Sequence, residues 1–149
     1  MALTVEFRRG TEHDGGGIAE LFGKARAEMQ YLPRLHTAEE DCGYFRGELR
    51  HRPSLIAVVG RKVVGFAIFG EGWLHHLYVD GEHRRCGIGR ELLSAVKAQS
   101  AGEIQLWTFQ ANDDARRFYE REGFVAIEET DGRGNEEKVP DVRYIWSGL

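Results

Sequence analysis

One junction constrains this chain more than any other. Trp73–Val79 is a short, mostly apolar run that follows Gly70–Gly72, the pattern of a strand. In Ile88–Ala98, residues Ile88, Leu92, Leu93 and Val96 recur at helical spacing on one face. Between the two lies His83-Arg84-Arg85-Cys86-Gly87-Ile88-Gly89-Arg90. A strand that turns through glycines into a helix calls for helices layered on a sheet. The same turn suits an anion. Glycines let backbone approach a ligand without a Cβ in the way. The first-turn N–H groups of a helix lack intrahelical acceptors and carry the positive end of its dipole. Arg84, Arg85 and Arg90 add positive charge there. The first-turn amides of that helix therefore suit a phosphate or pyrophosphate. The alternative is a glycine-rich loop capped by solvated arginines. The segment is not a dinucleotide fingerprint, because Leu92 stands where G-x-G-x-x-G needs its last glycine. It is not a Walker A loop, since no Gly-Lys-Ser/Thr follows.

The rest of the chain supplies the layers. Thr4–Arg8 alternates like a strand. After Asp14 and Gly15–Gly17, the residues Ile18, Ala19, Leu21, Phe22 and Ala25 recur at helical spacing, with the start blurred by the glycines. Thr37 with Glu40 makes a capping box for a helix reaching about His51, before Pro53. Leu55–Val59 and Val63–Phe69 flank a tight turn at Gly60-Arg61 and read as a hairpin. Ile104–Phe109 reads as a strand. Asn112 caps a helix carrying Ala115, Phe118 and Tyr119, which Gly123-Phe124 stops. Val125–Thr130 and Val142–Trp146 close the fold, with a polar loop, Asp131–Asp141, between them. The expected architecture is a single α/β domain over 1–149, in the order β-α-α-β-β-β-α-β-α-β-β. It has a mixed central sheet with helices on both faces.

Leu77–Leu93 resembles the acetyl-CoA-binding motif of the GNAT superfamily of N-acetyltransferases. That family's Arg/Gln-x-x-Gly-x-Gly/Ala is matched by Arg84, Gly87 and Gly89, after the strand-like Leu77-Tyr78-Val79-Asp80. A second block, Asn112 to Phe124, is similar to the family's Asn-x-x-Ala-x-x-Phe-Tyr-x-x-x-Gly-Phe. The two blocks stand in the right order with one strand between them, and the element order fits over the whole length. The N-terminal third is matched in layout alone. The resemblance implies transfer of an acetyl group from acetyl-CoA, as co-substrate, to a primary amine of a small molecule or peptide by direct attack. It implies a cofactor held by Leu77, Tyr78, Val79, Arg84, Arg85, Cys86, Gly87, Ile88, Gly89, Arg90, Asn112 and Phe118. The strand ending at Val79 would splay from Ile104–Phe109 to admit the pantetheine arm, with an N–H near Leu77–Val79 polarising the thioester carbonyl.

Tyr119 is the expected general acid. A thiol has a pKa of about 8.5 and a phenol about 10, so the phenol stays protonated and can donate to the departing sulfur. Its alternative is a core aromatic beside Phe118. Asn112 is a cofactor contact, a plain N-cap, or both. The two adjacent histidines should point to opposite faces of their strand. His75, expected on the face of Leu77 and Val79, is the candidate base or water-holder, with water alone as the competing reading. His76 and Glu71 are weaker candidates. Cys86 sits where the motif leaves the residue free. No metal site is expected from His75, His76 and His83, whose spacing matches no ligand pattern.

Charge and composition bound the partners. The formal charge is −4, without the basic excess of a general nucleic-acid binder. No apolar segment approaches the roughly 20 residues needed to span a bilayer, and nothing near Met1 reads as a signal peptide. Two cysteines, Cys42 and Cys86, without a C-x-x-C, read as free thiols in a reducing cytoplasm. Tyr31, Leu35 and His36 are candidate acceptor-lining residues, and Asp131–Asp141 is either part of that pocket or a homodimer contact. Glu39, Glu40 and Asp41 suit a helix N-terminus better than an amine site. Two other readings compete: a non-catalytic acyl-CoA-binding sensor module, which would not need Tyr119, and a nucleotide-binding α/β domain, which Leu92 counts against.

Overall fold

The computed structural model describes residues 4–148, so the outermost residues of the expected 1–149 domain lie outside it. Its strands are β1 Val5–Arg9, β2 Ser54–Val59, β3 Lys62–Gly70, β4 Trp73–Val79, β5 Glu103–Phe109, β6 Val125–Glu129 and β7 Asp141–Ser147. Its helices are α1 Gly15–Ala27, α2 Ala38–His51, α3 Ile88–Gln99 and α4 Asp113–Arg121. This is the expected order, with ends shifted by a residue or two.

The seven strands form one sheet in the order β1-β2-β3-β4-β5-β7-β6. Every pairing is antiparallel except β4 with β5, so the sheet is mixed as expected. Helices cover both faces. Ile18, Leu21, Phe45 and Leu49 of α1 and α2 pack on Ile56, Val58, Phe66 and Ile68. On the other side Ile88, Leu92, Leu93 and Val96 of α3 join Tyr119, Phe124, Leu106, Val142 and Tyr144. Strands with both faces covered show it: six consecutive residues of β3, Val64–Phe69, are buried.

Local signals explain the helix starts. Thr37 Oγ1 accepts from the Glu40 amide at 3.1 Å and Glu40 Oε1 from the Thr37 amide at 3.0 Å, a reciprocal cap. The glycines of α1 have a packing reason. A Cβ on Gly15 would lie 2.6 Å from Arg46 Cγ of α2, and one on Gly17 3.0 Å from Val63 of β3. Asp14 does not cap α1; its carboxylate takes the Arg8 guanidinium at 2.8 Å and the Thr11 amide at 2.8 Å.

Candidate functional site

The sheet parts where β4 and β5 meet. A single residue pair, Trp73 with Gln105, registers the two strands, supported by Gln105 N–H to Gly72 C=O at 2.8 Å. Beyond it they diverge. A β-bulge contributes: Ile68 faces His76 and Phe69 faces Leu74, so His75 is the extra residue on β4. Bulges bend a strand and sharpen its twist. The result is a cleft of about 550 Å³ between the strands. Leu74, Leu77, Leu106 and Tyr119 line it from the α4 side, and Arg26, Met29, His76 and Tyr78 from the α1 side. Past Trp73 the β4 edge facing β5 has no strand partner among the described residues, which leaves main-chain groups for a ligand.

Beyond Val79 the chain reaches the glycine loop. Buried Asp80 anchors this corner: Lys24 Nζ lies 3.3 Å and Lys62 Nζ 3.1 Å from its oxygens. Burial pushes its pKa up, but the two lysines outweigh that and hold it at about 2. Arg85 and Gly87 both adopt left-handed backbone, φ 67° and 79°. Gly87 is the N-cap of α3, and a Cβ there would project into open space. The first amide of this stretch to return to a carbonyl is Glu91, to Gly87 at 3.0 Å. The amides of Arg85, Cys86, Gly87, Ile88, Gly89 and Arg90 have no hydrogen-bond acceptor among the described residues. These are the N–H groups of the expected anion site. The arginines are less committed to it. Arg84 pairs with Glu28 at 3.2 Å and Arg90 with Glu122 at 3.5 Å, both on the surface, while Arg85 has no ionic partner among the described residues. Gly89 lies against Val79 and Phe118, so Phe118 packs α4 against the start of α3. The Cys86 thiol is free and exposed.

The structure brings Tyr119, Asn112, His75, Leu77 and Tyr78 to the cleft; Val79, Phe118 and residues 84–90 lie outside its lining. Tyr119 packs edge-on against Phe118 and Phe124, yet its hydroxyl has no protein partner among the described residues. Burial first, and Tyr78 second, push its pKa well above that of an ordinary phenol. Asn112 Oδ1 accepts from the Ala115 amide at 3.1 Å, so it caps α4 as expected while also lining the cleft.

The histidines correct one expectation. The bulge breaks the alternation that would have put His75 with Leu77 and Val79. Leu74, Leu77 and Val79 pack into the core under α3, whereas His75 Nε2 meets Arg52 Nη1, at the end of α2, at 2.6 Å. Burial and then the Arg52 charge lower the His75 pKa, so it is neutral near pH 7. His76 lies among the rings of Phe22, Tyr44, Phe45 and Tyr78, with Tyr44 Oη 3.0 Å from Nε2. Burial above all draws its pKa down to about 3.

The α1 side of the cleft holds groups that sequence reasoning missed. Arg26, in the last turn of α1, lies 4.8 Å from the Phe22 ring centroid and 5.5 Å from that of Phe109. Its Nε donates to Tyr78 Oη at 3.4 Å and its Nη1 to Glu137 Oε2 at 3.1 Å. The Tyr78 ring thus belongs to this wall, stacked on Phe66, whatever its backbone does. Glu137 comes from the late loop between β6 and β7. Asn135 Nδ2 braces that loop from inside, donating to Val139 C=O at 2.7 Å and Asp141 Oδ2 at 3.1 Å. The neighbouring Glu136 bonds His36 Nε2 at 2.5 Å. His36 is therefore a strut between loops rather than a lining residue. Tyr31 rests edge-on against Phe109 behind the wall, and Leu35 is exposed; neither lines the cleft. Among the described residues no group of three or more His, Cys, Asp or Glu is placed to hold a metal, and no helix is long and apolar enough to cross a membrane.

Comparison with known proteins adds a family and a fold. A family model described as "Acetyltransferase (GNAT) domain" matches residues 50–126. The search of curated proteins finds no match by sequence. Among solved structures, apo YjaB from Escherichia coli superposes with a TM-score of 0.78 at 21% identity, covering 99% of this chain and 100% of that one. An N-acetyltransferase from Staphylococcus aureus Mu50 gives 0.77 at 20% identity, covering 98% and 99%. YncA from Salmonella typhimurium, determined with its cofactor acetyl-CoA, gives 0.76 at 17% identity, covering 98% and 95%. At such identities these structures speak for the fold alone.

Proposed function

This chain belongs to the GNAT acetyltransferase family, and from that premise we propose that it is an N-acetyltransferase moving the acetyl group of acetyl-CoA to a primary amine of a small molecule or peptide. The observation that carries the reading is a Tyr119 hydroxyl with no protein partner, lining a gap in the sheet that leads to six unpaired amides. Acetyl-CoA was the cofactor of a structural neighbour, and this chain's own groups fit it. Amides 85–90 suit the diphosphate. Gly87 leaves them uncovered. The unpaired edge of β4 suits the pantetheine arm and offers an N–H near Leu77–Val79 to the acetyl oxygen.

Bound acetyl-CoA supplies an activated thioester. The residues around it manage protons. Tyr119 Oη keeps its proton at neutral pH, because burial raises its pKa, and holds it ready for the departing thiolate. His75 Nε2 accepts from Arg52, so Nδ1 carries the proton and donates to water. With both ring nitrogens so engaged, His75 holds a water without serving as a base, and the proton of the incoming amine passes to bulk solvent. Tyr119→Phe should lower turnover by roughly 10²–10⁴-fold, measured as thiol release from acetyl-CoA. Unchanged turnover would remove Tyr119 from the mechanism. Calorimetry with CoA, dephospho-CoA, ATP and NAD tests the cofactor. CoA binding without turnover of any amine would favour the acyl-CoA sensor instead. Both cysteines are free thiols, in keeping with a reducing cytoplasm.

A further inference from the structure

The acceptor wall carries one guanidinium that is only partly used. Arg26 is anchored on one side: Nε binds Tyr78 Oη, Nη1 binds Glu137, and two aromatic rings flank the group. Its side chain keeps 25% of its exposure and that of Glu137 17%. Nη2 of Arg26 and Oε1 of Glu137 have no partner among the described residues, and neither is a buried orphan. Both residues line the cleft. The pair therefore offers a positive and a negative hydrogen-bonding edge side by side.

A planar guanidinium with free donors matches a carboxylate better than any other side chain does. A carboxylate oxygen beside it matches an ammonium. The other carboxylate in the lining, Asp141, is engaged by Thr130 and Asn135. His75 and His76 are neutral near pH 7. Arg26 and Glu137 are thus the charged pair with atoms to spare. The cleft of about 550 Å³ must also admit the acetyl end of the cofactor, which limits the acceptor to a small molecule. Met29, Trp107 and Phe109 give it apolar lining.

Resting on the acetyltransferase reading above, we infer that the acceptor is a small zwitterion, an α-amino acid, whose carboxylate binds Arg26 Nη2 and whose ammonium is received by Glu137 Oε1. Flanking rings hold the guanidinium in place, so little ordering is left for the substrate to impose. Loss of the carboxylate leaves the donor of Arg26 unpaired, which is how a polar site rejects an analogue.

The test uses matched acceptors: an amino acid, its amide and its decarboxylated amine, for leucine, methionine and phenylalanine. Thiol release from acetyl-CoA should favour the acids by 10²-fold or more in kcat/KM. Arg26→Gln should bring the acid-to-amine ratio within about threefold of one, mainly through KM. Arg26→Lys should restore part of the preference, and a CoA titration of each variant shows that the cofactor site still forms. If wild type turns over amines and acids equally, or prefers amines, this inference fails while acetyl transfer stands. A ratio unmoved in Arg26→Gln also overturns it. Thiol release with no amine at all would sink the acetyltransferase reading, and this one with it.

Discussion

The loop at Arg85–Arg90 and the wall built on Arg26 are made in opposite ways. The loop is contiguous and presents main chain: six amides, two left-handed residues and a glycine without a neighbour. Of the arginines around it, Arg84 and Arg90 sit in surface pairs that contribute at most about 1 kcal/mol each, and Arg85 has no ionic partner among the described residues. The wall is assembled from side chains far apart in sequence, Arg26, Tyr78 and Glu137, and presents almost no backbone. A phosphate can be gripped by any sequence that frees its amides. An acceptor has to be matched by particular side chains. The difference tells where substitutions should matter, atom by atom.

The largest effect should come from distorting main chain in the loop. Gly87→Val places a β-branched residue at φ 79°, a backbone conformation that strains an L side chain, so the turn that frees the amides should shift. CoA affinity should fall by about 10²-fold in calorimetry; normal binding would contradict the site. A smaller effect belongs to the wall and to pH. His76 titrates near 6.5 when unfolded but near 3 when folded, so below pH 6.5 the unfolded chain binds the extra proton. Its contribution is complete above that point and is lost as pH falls toward 3. Between pH 6 and 5 the loss is about 1 kcal/mol, using 1.36 kcal/mol per unit. Asp80 adds to acid sensitivity only lower, as pH drops from about 4 through 2. Urea unfolding of His76→Phe, whose ring suits the neighbouring aromatics, should show a flatter pH dependence from 6.5 to 4.5. An unchanged slope would mean that His76 is not buried as described. The smallest effect should be Arg84→Ala. The side chain is half exposed and committed to Glu28, so CoA affinity should change less than about threefold at 0.15 M salt. A tenfold loss there would show that side chains, not amides, carry the loop.

The same contrast explains what the sequence disclosed. Local chemistry was readable: the Thr37–Glu40 box, the Asn112 cap, the glycine turn into α3 and the order of elements. Each depends on residues a few positions apart. The bulge at His75 was not readable, because an extra residue leaves no mark when the run on either side still looks like a strand. Nor was the Arg26–Glu137 pair, whose members are 111 positions apart. Arg26 is one of two basic residues in the last turn of α1, and nothing beside it in the sequence marks it out. Only the rings of Phe22 and Phe109 do so, in the fold. The triple glycine was ambiguous for a related reason: its purpose is the closeness of Arg46 and Val63.

The lone rung joining Trp73 to Gln105 has a mechanical consequence. It makes the sheet two panels on a hinge, four strands to one side and three to the other. A coenzyme arm threaded through the seam would act as a rivet. Amides flanking the seam should then be the ones whose deuterium uptake slows most when the rivet is in place.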